Sequence, residues 1–250
     1  MTAVARCTLS KAGRRTRATA IAMWAAAMLW IPLAGAQQRW HGSVAATTDY
    51  VFRGLSQTQG GPALQADLHF EGGAGWFAGA WASTLDTGYD SIGRLELDAY
   101  AGWNWAVASD WTARLSYVRY LYPDADSDID YDYSELNARL AWRDRAVASV
   151  GWAPDLMRFD AEGYAHRGNG WAYELSLRQP LGSRFAATIG GGYYDQLFDF
   201  DYWAWNAGIS CVLGPFELDL SRFGNDSTAE SFYGREAAGG RWALTALWRF

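Results

Sequence analysis

The feature that most limits what this chain can fold into is a period-two alternation of apolar and polar residues, which recurs along residues 43–250. Successive side chains of a strand point to opposite faces, so this pattern makes a sheet with one apolar and one polar surface. Leu64, Ala66, Leu68 and Phe70 alternate with Gln65, Asp67, His69 and Glu71. Leu95, Leu97, Ala99, Ala101 and Trp103 alternate with Arg94, Glu96, Asp98 and Tyr100. Leu136, Ala138, Leu140 and Trp142 alternate with Glu135, Asn137 and Arg139; Trp171, Tyr173, Leu175 and Leu177 alternate with Glu174, Ser176 and Arg178. Less regular strands are read at 43–53, 76–85, 111–122, 146–153, 184–194, 202–212, 216–222 and 241–250. The total is about twelve, an even number, each near the roughly 9–11 residues that cross a bilayer at a tilt.

The connections support the same reading. Those at 54–62, 86–93, 123–132, 154–170, 195–201 and 223–240 are long. Those at 72–75, 104–110, 143–145, 179–183 and 213–215 are short, and the two kinds alternate. A barrel with short periplasmic turns and longer extracellular loops has this order. A soluble sandwich or lipocalin also alternates, with its apolar face as the core. Here the apolar face carries Trp103, Trp142, Trp171 and Tyr173 near strand ends, as aromatic belts against lipid would. The last strand puts Trp242, Leu244, Ala246, Trp248 and Phe250 on one face. Trp248 and Phe250 are read as the signal met by the barrel-assembly machinery during insertion. The expected fold class is all-β, a transmembrane antiparallel β-barrel of about twelve strands.

The N-terminal segment reads as a cleaved export signal. Arg6, Lys11, Arg14, Arg15 and Arg17 precede an apolar run from Ala18 to Leu33, and Ala34-Gly35-Ala36 has the small-x-small form of a cleavage site. The run is shorter than the roughly 20 residues of a spanning helix. Residues 1–36 are thus expected to leave, and 37–250 to form one barrel domain in the outer membrane of a Gram-negative bacterium. Losing five basic residues takes the formal net charge from −6 to −11. So acidic a chain argues against nucleic acid as a partner. Cys211 alone remains, which excludes an internal disulfide, and no lipobox precedes either cysteine.

One stretch resembles a known family. Thr48-Asp49-Tyr50-Val51-Phe52-Arg53-Gly54-Leu55-Ser56-Gln57-Thr58, followed by Pro62-Ala63-Leu64-Gln65, resembles the opening of the TorF-type putative porins, Gcw_chp-type proteobacterial outer-membrane proteins of unknown function. Residues 75–83, 96–102 and 120–123 are similar to later parts of that family. The resemblance implies a pore-like outer-membrane protein. It implies no substrate and no catalytic residue.

The charged face must line the lumen, because a charge facing lipid near the midplane costs roughly 2–4 kcal/mol. The acidic candidates are Asp49, Asp67, Glu71, Glu96, Asp98, Glu135, Glu174, Glu217 and Asp219. The basic ones are Arg53, Arg94, Arg114, Arg139, Arg178, Arg241 and Arg249, with His69 beside Asp67 and Glu71. Such a lining could select solutes, or its arginine–carboxylate pairs could close the lumen; a barrel of this size lies between filled and open ones. Asp124, Asp126, Asp128, Asp130 and Asp132, with Glu135, have the spacing of a calcium loop. Ile129 sits where that loop needs glycine, and strands flank it, so a solvated acidic tip that meets divalent ions near lipopolysaccharide fits better.

An enzyme is the other class to weigh. His41, His69 and His166 are the only histidines, and none has a serine partner at strand spacing. Gly190-Gly191-Gly192 lacks the lysine and helix of a phosphate loop and suits a bend or close packing in a sheet. No metal, phosphate or dinucleotide motif is present, so no cofactor is expected. The expected partners are outer-membrane lipid, lipopolysaccharide, the assembly machinery and small hydrophilic solutes. The expected function is a porin-like channel of weak cation preference. The alternatives are a plugged structural barrel and, further off, a lipid-modifying enzyme.

Overall fold

The computed structural model describes residues 39–88, 92–125, 130–160, 164–195 and 200–250. The expected export signal at 1–36 lies outside them, as do Asp126 and Asp128. Twelve strands form the wall: β1 (Arg39–Thr47), β4 (Ala63–Glu71), β5 (Trp76–Thr84), β6 (Leu95–Ala108), β7 (Trp111–Leu121), β8 (Tyr133–Trp142), β9 (Ala146–Phe159), β10 (Ala165–Leu181), β11 (Phe185–Asp195), β12 (Asp201–Leu213), β13 (Phe216–Asn225) and β14 (Arg241–Arg249). Two short strands, β2 (Val51–Phe52) and β3 (Leu55–Ser56), pair only with each other. Among the described residues one α-helix, α1 (Ser227–Ala238), lies between β13 and β14.

The wall is a closed antiparallel barrel in which β1 pairs with both β4 and β14. Closure removes every open sheet edge, which a lipid-facing sheet requires because lipid offers no hydrogen bonds. The pleat then sorts the side chains. On β13, Leu218 and Leu220 face outward and are exposed, whereas Glu217, Asp219 and Ser221 are buried inside. At the short-turn end Trp40, Trp76, Trp103, Trp111, Trp142 and Trp248 stand exposed; toward the other end Trp171, Trp203, Trp205 and Trp242 do. These are the two aromatic belts of a membrane-spanning wall. At the short-turn end Arg143 donates to Asp110 at 2.9 Å, tying two turns together and holding that carboxyl below the usual carboxylate range.

The seam depends on Phe250. Its backbone N–H donates to the Gly42 carbonyl and its own carbonyl accepts from Gly42 N–H, both at 3.0 Å. A side chain at Gly42 would stand 2.6 Å from the Phe250 ring, so the glycine makes room for it. Deleting Phe250 removes two seam hydrogen bonds and one belt aromatic. We expect less heat-modifiable protein in the outer-membrane fraction after that deletion; an unchanged amount would contradict the assigned role.

Three expectations change, besides the connection read at 104–110, which shrinks to residues 109–110 because β6 runs on to Ala108. The first strand ends at Thr47, not at residue 53. There Thr47 Oγ1 donates to the Asp49 carbonyl, and the chain turns inward. The connection read at 154–170 is mostly strand, because β9 and β10 continue past the apolar zone to Phe159 and from Ala165. Beyond lipid both faces of a hairpin can be polar, so the alternation that marks a strand fades. The connection read at 223–240 holds α1, whose first turn is capped by Asp226 accepting from Ala229 N–H at 3.0 Å.

Candidate functional site

The site is the lumen, and what shapes it is the chain between β1 and β4. Residues Val51–Phe52 and Leu55–Ser56 form a hairpin whose turn is Arg53-Gly54. Both turn residues have positive φ, 50° and 81°, the combination of a two-residue turn that matches strand twist. Glycine takes this conformation freely; arginine pays strain and needs anchoring. The anchors come from the far wall. Arg53 Nη2 donates to Glu135 on β8 at 2.7 Å, and Glu174 on β10 lies 3.9 Å from Nε. Tyr202 on β12 donates to the Arg53 carbonyl at 3.1 Å, and Asn225 on β13 donates to the Gly54 carbonyl at 2.8 Å. A side chain at Gly54 would meet Asn225 at 2.3 Å and Ala204 at 2.4 Å, so the tip fits closely against the wall.

The base of the hairpin is pinned on the opposite side. Ser56 and Thr58 both donate to Asp49, at 2.5 and 3.1 Å. Asp49 also accepts from Arg241 on β14 at 3.0 Å. Tyr50 donates to Glu96 on β6 at 2.9 Å and packs edge-on to Trp81. The hairpin therefore crosses the lumen and contacts strands around most of the ring. Arg53 Nε and Nη1, Glu135 Oε2 and the Tyr120 hydroxyl converge here, buried and without a hydrogen-bond partner in the structure.

Below the hairpin, toward the short turns, the lining changes sign. Arg139 lies four residues beyond Glu135 on β8, and Arg178 four beyond Glu174 on β10, each on the same inward face. Arg114 on β7 is the register partner of Arg139, and its guanidinium lies 3.6 Å over the Phe77 ring. Arg178 donates to Asp144 at 3.1 Å. Across the ring, β13 and β4 present Glu217, Asp219, Asp67 and Glu71. Arg249 donates to Glu217, Ser221 donates to Asp219 at 2.6 Å, and Tyr100 donates to Asp67 at 2.5 Å. His69 is 2.7 Å from Asp67. One wall is thus rich in arginine and the facing wall rich in carboxylate.

The sequence-predicted lining candidates sit at inward positions, with two corrections. Arg53 and Asp49 do so from the inserted hairpin rather than from a wall strand. Arg94 does not line the lumen: it is exposed on the outer rim before β6, where Asp124 accepts from its backbone N–H at 2.9 Å. Asp98 and Glu96 are buried at the hairpin level. The loop acids also differ from a bare acidic tip. Asp132 accepts from Tyr122 N–H at 2.8 Å, and Asp130 pairs with Arg167 at 2.8 Å. Arg119 pairs with Asp155 and Arg158 with Asp195, at 3.1 and 2.7 Å. Three arginines missed from the sequence therefore offset part of the outer negative charge. No group of three or more metal-ligating side chains occurs among the described residues.

The barrel is similar to solved outer-membrane porins. The NanC porin matches with a TM-score of 0.55 and 11% identity, over 82% of this chain and 97% of that one. The KdgM porin matches at 0.52 with 7% identity, over 84% of this chain and 99% of the other. A KdgM structure in complex with disordered oligogalacturonate matches at 0.51 with 6% identity, over 85% and 99%. At such identities the likeness is one of fold. No curated protein matches the sequence. Residues 34–246 match the family described as "Bacterial protein of unknown function (Gcw_chp)", and the chain belongs to that family.

Proposed function

We propose that this protein is an outer-membrane channel of a Gram-negative bacterium, open to passive diffusion of small hydrophilic solutes and narrowed by the hairpin at 51–56. The observation that carries this reading is the hairpin itself, held across a charged lumen by Arg53, Glu135 and Asp49. A structural barrel that only fills the membrane gains nothing from burying a strained arginine turn. The fold shared with NanC and KdgM supports a channel.

A second reading, the plugged barrel, is favoured by the same ion pair: Arg53 and Glu135 are 3% and 0% exposed and hold the hairpin shut. The two readings differ in whether current passes.

Selectivity follows from charge. The expected segment 37–250 has a formal net charge of −11, so the mouth concentrates cations even though Arg119, Arg158 and Arg167 offset part of the loop charge. We expect a modest cation preference that weakens as salt screens the loops. Reversal potentials across a potassium chloride gradient measure it. A clear anion preference would mean that Arg114, Arg139 and Arg178 govern permeation instead.

A further inference from the structure

A second chamber lies on the loop side of the hairpin and differs in chemistry from the lumen below. Its volume is about 450 Å³, within the range of small-molecule sites. Phe52 and Leu55 of the hairpin form its floor, Tyr133, Leu156 and Tyr202 part of its wall, and Tyr233 of α1 its roof. Tyr202 and Tyr233 meet edge to face at 5.7 Å, and Tyr133 stacks on Tyr120 at 4.3 Å, so the aromatic faces are fixed rather than loose.

Two properties identify what this chamber would take. Among the described residues no lining side chain is charged, although the lumen beneath is lined by carboxylates and guanidinium groups. An ion entering it would lose hydration with no partner in return. Three polar groups of the lining are also already engaged. The Ser56 hydroxyl donates to Asp49, the Gln57 amide to the Leu55 carbonyl and the Tyr202 hydroxyl to the Arg53 carbonyl. A polyhydroxylated sugar needs many hydrogen bonds to offset its desolvation, and here the hydroxyls of Tyr122, Tyr131, Tyr133 and Tyr233 would have to supply most of them. Flat aromatic walls suit the face or edge of another ring.

We propose that the chamber binds a neutral, largely apolar, ring-bearing molecule, one that is held on the loop side of the hairpin and is distinct from the hydrophilic solutes the channel passes. The binding does not rest on the channel reading. The probe is indole, compared with indole-3-acetate and glucose, titrated calorimetrically into the full-length barrel in lipid nanodiscs, with empty nanodiscs as the partition control. Saturable indole binding is expected, with the other two at least tenfold weaker. Tyr233→Ala removes one aromatic wall and is expected to weaken indole about threefold to tenfold. Met157→Asp, which puts a charge into the lining, is expected to remove saturable binding while heat-modifiable migration stays unchanged. Equal or tighter binding of indole-3-acetate or glucose, or no effect of Met157→Asp, overturns the inference. Indole binding by a barrel that passes no current would defeat the channel reading alone. Current without saturable indole binding would defeat this inference alone.

Discussion

Replacing Arg53 with alanine is expected to raise single-channel conductance severalfold and to make the current noisier. Removing one member of a buried ion pair costs about 3–5 kcal/mol, because the other charge stays buried without its partner. Glu135 sits in a wall strand paired on both sides and cannot leave. The strain is therefore relieved where the chain can move, at the hairpin. The other anchors of its tip, Tyr202 and Asn225, reach only backbone carbonyls through neutral hydrogen bonds, each worth about 1 kcal/mol, so the tip can lift while Asp49 and Arg241 keep the base in place. A loss of 3 kcal/mol shifts the docked-to-released ratio by about two orders of magnitude. Adding Glu135→Gln to the same chain removes the stranded charge and should return part of the docked population. A correctly folded Arg53→Ala protein with unchanged conductance would show that the hairpin does not set the constriction.

The second large effect tests which face meets lipid. Leu220 lies midway along β13, outward and exposed, one residue from the buried Asp219. Leu220→Arg should destabilise the barrel in lipid vesicles by about 2–4 kcal/mol. Leu213→Arg, at the end of β12 beside a short turn, should cost about 0–1 kcal/mol. Reversible denaturant unfolding in vesicles reads both. A soluble barrel with the same topology would show no dependence on depth, and arginine at either site would be nearly neutral.

How far the sequence alone reaches is set by where the membrane imposes a pattern. Within the apolar zone each strand must alternate, so β4, β6, β8 and the lower part of β10 are legible almost residue by residue. Outside it the constraint lapses. Asp155, Arg158 and Arg167 belong to extended strands whose two faces are both polar, and they read as loop. The helix α1 carried a signal: Asp226 followed by Ser227-Thr228-Ala229-Glu230 is a capped first turn with an acidic residue in it. The hairpin carried one too. Arg53-Gly54 is a two-residue turn bordered by the apolar Phe52 and Leu55, with glycine at the second turn position. It was hidden because Val51–Arg53 also continues the alternation of β1. What the sequence cannot hold is the distance information: that Arg53 meets Glu135, 82 residues on, follows only from closing the ring.

Planar-bilayer recording of the purified, refolded protein tests the central claim most directly. Wild-type protein should insert as discrete ohmic steps, small for a twelve-stranded barrel, and replacing residues 50–60 with a short glycine-serine linker should enlarge each step. Silence from protein that is folded by its heat-modifiable migration, with current appearing only when the hairpin is removed, would contradict a channel and leave a barrel plugged by its own chain.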